Sequence, residues 1–244
     1  MTGYSWDTSA STVNDGYGIN EWSQADLMKL LNPGYESNTD LNSSGTSITV
    51  NNSLYWNKGS GTCYNDESNA TTTCNFTSTG LGTTAQGMID TVKYYTAGWN
   101  SNSITSQQYY TYERGSAVVS SPLDGVTRTT SWIGKIGLMY VSDYGYAADP
   151  STCSRTNKLY PDYYNTTPTC HTNNWLWDSS RSQWTIVPSS SYSHNAWNLS
   201  SGGGVLNGSA YYYGSAWRSV LYLKSDVRID AGSGTVGDPY ILSE

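Results

Sequence analysis

Residues Ile133–Val141, which read IGKIGLMYV, decide the fold class that the sequence predicts. Their alternation is typical of a β-strand, and Ser142–Gly145 has the composition of its exit turn. From about Trp132 to the C-terminus the sequence continues as short alternating segments bounded by turn residues. All convincing helical patterns lie before Trp132 in the sequence. Helices early and strands late predict an α+β fold.

Two helices are predicted in the first third of the chain. Trp22–Leu31 carries a leucine stripe at helical spacing, with Ser23 as a candidate N-cap. Ala85–Tyr95 has apolar residues at helical intervals and is preceded by Thr84 as a cap. The Ser/Thr/Asn-rich stretch between the two helices holds one strand-like piece, Ser53–Trp56.

The late half is predicted to be a meandering antiparallel sheet. Further strands are expected at 183–187, 196–199, 205–206 and 217–224, and a reversal at 230–234 leads to 240–242. Asn207-Gly208 is the strongest hairpin cue in the chain. We expect one domain, 1–244, in which 1–130 supplies the helices and a disulfide-pinned loop and 131–244 is the β-rich binding half.

Charge and hydropathy exclude two classes of partner. The chain has 12 Lys and Arg residues and a net charge of -7, so it lacks the clustered cations that a nucleic acid requires. The longest apolar run, Ile136–Val141, is far shorter than the ~20 residues that span a bilayer. No membrane insertion is therefore expected.

The four cysteines form two close pairs, Cys63 with Cys74 and Cys153 with Cys170, without C-x-x-C spacing. Two local disulfides are the favoured interpretation, and free thiols are the alternative. Disulfides indicate an oxidising compartment, so we expect an extracellular or cell-surface location. A secretory leader that the chain no longer carries is expected with it.

Motifs for catalysis are scarce. There is no Gly-x-Ser-x-Gly elbow for a serine hydrolase, and His171 and His194 lie in polar segments typical of loops. A glycan hydrolase needs two carboxylates, which the sequence alone cannot pair. The candidates are Asp143, Asp149, Asp162 and Asp178. No cofactor or metal is predicted, and a structural Ca²⁺ at Asp226, Asp230 and Asp238 lacks the EF-hand spacing.

Aromatic residues suggest recognition instead. Between Asn173 and Trp217, Tyr and Trp are interspersed with Ser, Asn and Gly, a composition that antibody paratopes favour. The predicted ligand-binding residues are Trp177, Asp178, Tyr192, His194, Asn195, Trp197, Asn198, Tyr211, Tyr212 and Tyr213. The alternative is that half of these rings fill the core. Strand-like alternation assigns Trp175, Trp184 and Trp217 to the core, whereas nearby turns and glycines predict exposure of Tyr192, His194, Asn195 and 211–213.

Several residue strings resemble surface proteins of gut-associated low-GC bacteria. The strings are 133–147, 173–176, 183–186, 217–227, 232–235, 238–242, 21–28 and 53–57. These proteins often begin with a prepilin-like helix, and their C-terminal half is similar to the C-type-lectin-like fold of formylglycine-generating enzymes and of the variable proteins of diversity-generating retroelements.

This resemblance implies a surface-displayed module that binds a protein or glycan, adhesin-like and diversified at 189–198 and 209–215. It also implies pilus-like assembly through an N-terminal segment that this chain lacks. Three features depart from the family. Arg218-Ser219 stands where the family has Arg-Pro, the calcium-lectin triplets do not occur, and the cysteines of the oxidase relatives have no counterpart.

Three hypotheses of function follow, in order of preference. The first is an extracellular ligand-binding module that is not an enzyme. The second is a structural pilin-like subunit whose aromatic residues pack against neighbouring subunits. The third is a carboxylate-based glycan hydrolase.

Overall fold

The computed structural model describes residues 3–11, 16–41, 47–67, 70–166 and 168–244, and these form a mixed α+β fold. The helices are α1 (Asp26–Leu31), α2 (Leu54–Asn57), α3 (Thr83–Met88), α4 (Ser106–Glu113), α5 (Val141–Ala147) and α6 (Pro168–Thr172), with a 3₁₀ turn at Trp22–Gln24 and a π-helical turn at Asp162–Thr166. The strands are β1 (Asn38–Leu41), β2 (Ser47–Val50), β3 (Ser60–Asp66), β4 (Ala70–Asn75), β5 (Val92–Tyr95), β6 (Ser131–Gly134), β7 (Ile136–Leu138), β8 (Gln183–Pro188), β9 (Asn195–Leu199), β10 (Val205–Ser209), β11 (Ala216–Trp217), β12 (Ser219–Leu221), β13 (Arg228–Ala231) and β14 (Ile241–Ser243).

The largest sheet lies in the late half, as the sequence predicts. Its strand order is β10-β9-β8-β11, in which β8, β9 and β10 form an antiparallel meander and β11 joins β8 in parallel. The other strands form two-stranded pairs, β1 with β2, β3 with β4, β5 with β6, β7 with β12, and β13 with β14. The α+β class and the antiparallel character of the sheets are therefore confirmed.

The largest buried side chains of the core are aromatic rings, in a chain that has 10 Trp and 22 Tyr but one Phe. Trp6, Trp22 and Trp184 are fully buried. An indole N–H loses its water on burial and needs a new acceptor. Trp6 Nε1 donates to Thr185 O at 3.0 Å, and Trp184 Nε1 donates to Tyr4 O at 2.9 Å. These bonds join the N-terminal segment to β8.

The N-terminal segment runs across the loops that follow β8 and β10. Tyr4 N donates to Ser215 O at 3.0 Å, and Trp6 N donates to Ala210 O at 2.8 Å. Asn20 N donates to Ser193 O at 2.9 Å. The beginning of the chain therefore supports the aromatic-rich region near its end.

Both predicted helices are shorter than expected. Trp22–Leu31 is interrupted at Ala25, whose extended backbone separates the 3₁₀ turn from α1, and Glu21 rather than Ser23 is the N-cap. The second helix stops at Met88, and β5 takes the rest of the predicted range. In β5 Tyr94 is buried and Tyr95 exposed, the alternation of a strand.

Two strand predictions and one turn prediction in the first two thirds of the chain are also corrected. Ser53–Trp56 is not a strand, because Ser53 takes a left-handed backbone (φ 59°) and α2 begins after it. The stretch 133–141 divides into β6 and β7, with β5 pairing β6 and β12 pairing β7. Its expected exit turn is the helix α5, whose first turn is capped by Asp143 Oδ2 accepting from Tyr140 N at 2.9 Å.

The hairpin after β9 turns at a different place from the one predicted. Asn207-Gly208 lies inside β10, paired with β9, and the predicted 217–224 strand is the two short strands β11 and β12. The β9–β10 turn is at 200–204, where Ser200 N donates to Gly204 O at 2.8 Å and Gly203 has φ +90°. A Cβ at Gly203 would meet the His171 ring. Glycine is therefore required at Gly203, not at Gly208.

Both disulfides have the predicted partners. Cys63–Cys74 joins β3 to β4, and Cys153–Cys170 joins the chain after α5 to α6. Both bonds lie in buried surroundings. The first bond pins the Ser/Thr-rich stretch, as the sequence predicts.

Removing either disulfide is expected to lower the free energy of unfolding by about 3 kcal/mol, because the closed loops of 11 and 17 residues restrict the unfolded chain. Cys63→Ala/Cys74→Ala and Cys153→Ala/Cys170→Ala should show this in urea titrations. A thiol assay on the unreduced, denatured chain should find no free sulfhydryl. One titratable thiol per molecule would contradict the pairing.

Candidate binding site

The predicted ligand-binding residues divide into exposed rings and residues that the fold buries. Tyr192, Tyr212 and Tyr213 are 51%, 55% and 46% exposed. Trp177, Asp178, Asn195 and Tyr211 are partly buried. His194, Trp197 and Asn198 are buried. The prediction that His194 is exposed is therefore wrong.

His194 is buried because its loop is held down by side chains far away in the sequence. Asn20 Nδ2 lies 2.9, 2.7 and 2.9 Å from the carbonyl oxygens of Ser189, Tyr192 and Asn195. Arg128 Nη2 donates to Ser193 O at 2.7 Å. These bonds satisfy the loop carbonyls without water, so the loop lies against the body of the protein. Tyr192 remains exposed at its tip.

Arg128 connects this loop to a second one. Its Nη1 and Nη2 donate to the two carboxylate oxygens of Asp124 at 2.5 Å each, and its Nε donates to Asn20 Oδ1 at 3.0 Å. Both side chains of the ion pair are almost completely buried. Burial alone would raise the pKa of Asp124, but the hydrogen bonds from Arg128 and its positive charge outweigh that effect and keep the pKa below its usual value.

Trp197 belongs to the core. Its ring makes an edge contact with buried Tyr109, with centroids 5.9 Å apart, and its Nε1 donates to Trp99 O at 3.1 Å. Trp177 packs against His171, with centroids 4.6 Å apart, and donates to Ser201 O at 3.1 Å. These contacts hold both indole rings against the body of the protein.

A groove of about 300 Å³ lies beside the exposed tyrosines. It is lined by residues of β8, β9 and β10, by Ser182 before β8, and by the loop after β10. Its lining includes Asn198, Asn207, Tyr211, Tyr212 and Ser215. The groove thus brings together three of the predicted residues, Asn198, Tyr211 and Tyr212, with the Tyr213 ring 5.7 Å from that of Tyr212.

The backbone around this groove is fixed by hydrogen bonds. Tyr212 N donates to Ser209 O at 2.9 Å, and Ser5 Oγ donates to Tyr211 O at 2.5 Å. In the sheet, Asn198 of β9 pairs with Trp184 of β8 on one side and with Leu206 of β10 on the other. The groove therefore needs little ordering before a ligand enters.

A second cleft, of about 490 Å³, lies around a residue that the sequence assigned to the core. Trp175 is 74% exposed, whereas Trp184 is fully buried and Trp217 packs against Tyr4 with centroids 4.7 Å apart. Trp175 lies in a turn between α6 and β8, so strand alternation does not apply to it. The cleft is lined by Met139, Asp143, Tyr146, Ala147, Trp175, Leu176, Arg218, Ser219 and Val220.

The carboxylates proposed for a glycan hydrolase take up different roles. Within the described ranges, Asp143 is the one candidate that lines the Trp175 cleft, and burial raises its pKa. Asp149 and Asp178 accept hydrogen bonds from Ser151 and Ser180, and these bonds lower their pKa values. Asp162 accepts from Lys158 N at 2.8 Å.

The described residues contain no group of three or more His, Cys, Asp or Glu side chains that could hold a metal ion, so Asp226, Asp230 and Asp238 are not brought together. Among the same residues, no helix is both long and apolar enough to cross a membrane. Comparison of the chain with protein-family models, with curated proteins and with solved structures yields no match.

Proposed function

We propose that the chain is a ligand-binding module that works outside the cell and is displayed on its surface, with the C-type-lectin-like fold that its sequence resembles. The observation that supports this proposal best is the position of Tyr192, Tyr212 and Tyr213. Each ring is about half exposed, on a loop where hydrogen bonds hold the backbone at Tyr192 and at Tyr212. Rigid, exposed tyrosines supply contact area at a low cost in entropy.

The groove beside these rings supports recognition rather than catalysis. Asn198, Asn207 and Ser215 offer amide and hydroxyl groups, and Tyr211 and Tyr212 offer aromatic faces. This mixture suits a protein or glycan surface that presents both polar and apolar groups. The two disulfides are compatible with an extracellular location.

Replacing Tyr212 and Tyr213 by Ala should weaken ligand binding about tenfold or more and change the free energy of unfolding by less than about 1 kcal/mol, because exposed side chains contribute little to stability. The probe is an array of immobilised glycans together with collagen, fibronectin and laminin. Tyr240→Ala, an equally exposed tyrosine before β14, is the matched control.

The pilin-like alternative makes the opposite prediction. In that case the wild-type chain would self-associate in sedimentation velocity, and Tyr212→Ala/Tyr213→Ala would dissociate the assembly. A monomeric chain that binds an array component through these tyrosines would support the proposal. Self-association that depends on them, with no binding to the array, would contradict it.

A further inference from the structure

We propose that the cleft around Trp175 is a binding site for a short neutral oligosaccharide, with the Trp175 indole as the platform on which a sugar ring stacks. This site is separate from the tyrosine groove of the proposed function, and the two share none of their lining residues. The Trp175 side chain is 74% exposed, so the fold gains little stability from its indole.

The backbone on both sides of Trp175 is fixed. Asn174 Nδ2 donates to Tyr144 O at 2.7 Å, and Asn174 Oδ1 accepts from Leu176 N at 3.0 Å. Leu176 is buried, and Trp177 N donates to Asn174 O at 3.0 Å. The ring is therefore presented to solvent from a rigid turn, so that stacking a ligand on it costs little additional entropy.

Two polar groups line the same cleft. Asp143 uses Oδ2 to accept from Tyr140 N and makes no other hydrogen bond within the described part of the chain, which leaves Oδ1 available as an acceptor. Arg218 donates through Nε to Gln183 Oε1 at 3.1 Å and through Nη2 to Leu176 O at 3.5 Å. Its Nη1 has no hydrogen-bond partner among the residues that the structure describes, so this atom is available as a donor. A fixed acceptor and a fixed donor thus accompany the aromatic face.

The charges in the cleft favour a neutral ligand. Asp143 and Arg218 have opposite charges, and the chain as a whole carries -7, so an anionic ligand would be repelled at long range. A sugar ring matches the remaining features, because its C–H face packs on an indole and its hydroxyl groups both donate and accept. The cleft, at about 490 Å³, is within the size range of small-molecule sites.

The test titrates a defined panel of neutral oligosaccharides, cellotetraose, N-acetylchitotriose, mannotriose and lactose, into the whole chain by calorimetry. At least one of them should bind, and Trp175→Ala should weaken that binding about tenfold or more. Trp175→Tyr should retain most of the affinity because it keeps a ring, whereas Trp175→Leu should behave like Trp175→Ala. Arg218→Lys should also weaken binding, because a lysine cannot hold the guanidinium geometry.

Tyr240→Ala, at an exposed tyrosine that lines neither cleft, is the control, and it should bind the oligosaccharide as the wild type does. Loss of binding in Trp175→Ala together with wild-type binding in Tyr240→Ala assigns the oligosaccharide to the Trp175 cleft. The proposal is overturned if no member of the panel binds at millimolar concentration. It is also overturned if Trp175→Leu binds the oligosaccharide like the wild type, because the cleft would then need only an apolar side chain, as a site for an apolar peptide does. Tighter binding of sialyllactose than of lactose would overturn it as well, since the site would then prefer an anion.

Discussion

Replacing Arg128 by Met is expected to remove about 3–5 kcal/mol from the free energy of unfolding, the largest effect of any single substitution argued for this chain. The change leaves the Asp124 carboxylate buried without its partner. It also removes the donors to Val126 O, Asn20 Oδ1 and Ser193 O. Urea unfolding at neutral pH measures the loss.

Two further variants separate the buried charge from the lost contacts. Arg128→Met with Asp124→Asn should lose less than Arg128→Met alone, because no uncompensated carboxylate remains. Arg181→Ala, at an exposed arginine, should change stability by less than about 0.5 kcal/mol. If Arg128→Met were as stable as Arg181→Ala, the buried network would have no structural role.

The same substitution should affect the predicted binding loop. Arg128 holds Ser193, next to the tip residue Tyr192, so the amides of 191–194 should exchange hydrogen faster in the variant. This link between Arg128 and the loop spans 65 residues of sequence. It explains why the sequence alone misplaced His194, since its neighbours Ser191–Asn195 are small, polar residues typical of an exposed loop.

Local sequence patterns predicted those elements whose structure is decided by neighbouring residues, such as α1 and β8. The leucine stripe of α1 is buried, and Trp184 lies buried in the strand β8, within the range where a strand was expected. The sequence also carries a signal for α4, since Thr105 and Gln108 form a reciprocal capping box at its start. That box would have predicted a third helix.

Long-range contacts account for what the patterns missed. Ser53 has a left-handed backbone and is held by two hydrogen bonds, from its Oγ to Asn32 O and from its N to Lys29 O. Neither partner lies near Ser53 in the sequence, so a local pattern could not predict this conformation. Trp175 is exposed because Asn174 binds Tyr144 O, 30 residues away, and fixes the turn. Composition could predict that aromatic rings face solvent, but it could not say which ones.

The chain is expected to be more stable near pH 5 than near pH 8, because its buried carboxyl groups hold their protons in the folded state. Glu113 is fully buried on α4, where burial raises its pKa to about 7 despite hydrogen bonds from Ser142 and the positive charge of Arg114. Burial and the nearby charge of Asp26 raise the pKa of Asp7 in the same direction.

The direction of the effect follows from proton uptake. Between pH 4.5 and about 7 the unfolded chain has lost the Glu113 proton while the folded chain keeps it, so the free energy of unfolding falls as the pH rises through this window. The contribution of Glu113 is fully present below pH 4.5 and is lost above about pH 7, which corresponds to about 3 kcal/mol. The pKa values of Asp149 and Asp178 are lowered, so their contributions to the free energy of unfolding are lost only as the pH falls further.

Glu113→Gln should therefore flatten the pH dependence, because a neutral amide can still accept from Ser142 N, as Glu113 Oε1 does at 3.0 Å. Urea titrations from pH 5 to pH 8 would measure the slope for the wild type, for this variant and for Glu67→Gln, whose parent side chain is exposed. We expect the Glu67→Gln slope to equal that of the wild type and the Glu113→Gln variant to lose about 3 kcal/mol less over this range. A wild-type stability that stays constant or rises toward pH 8 would mean that Glu113 is ionised in the folded protein and that the Arg114 charge outweighs its burial.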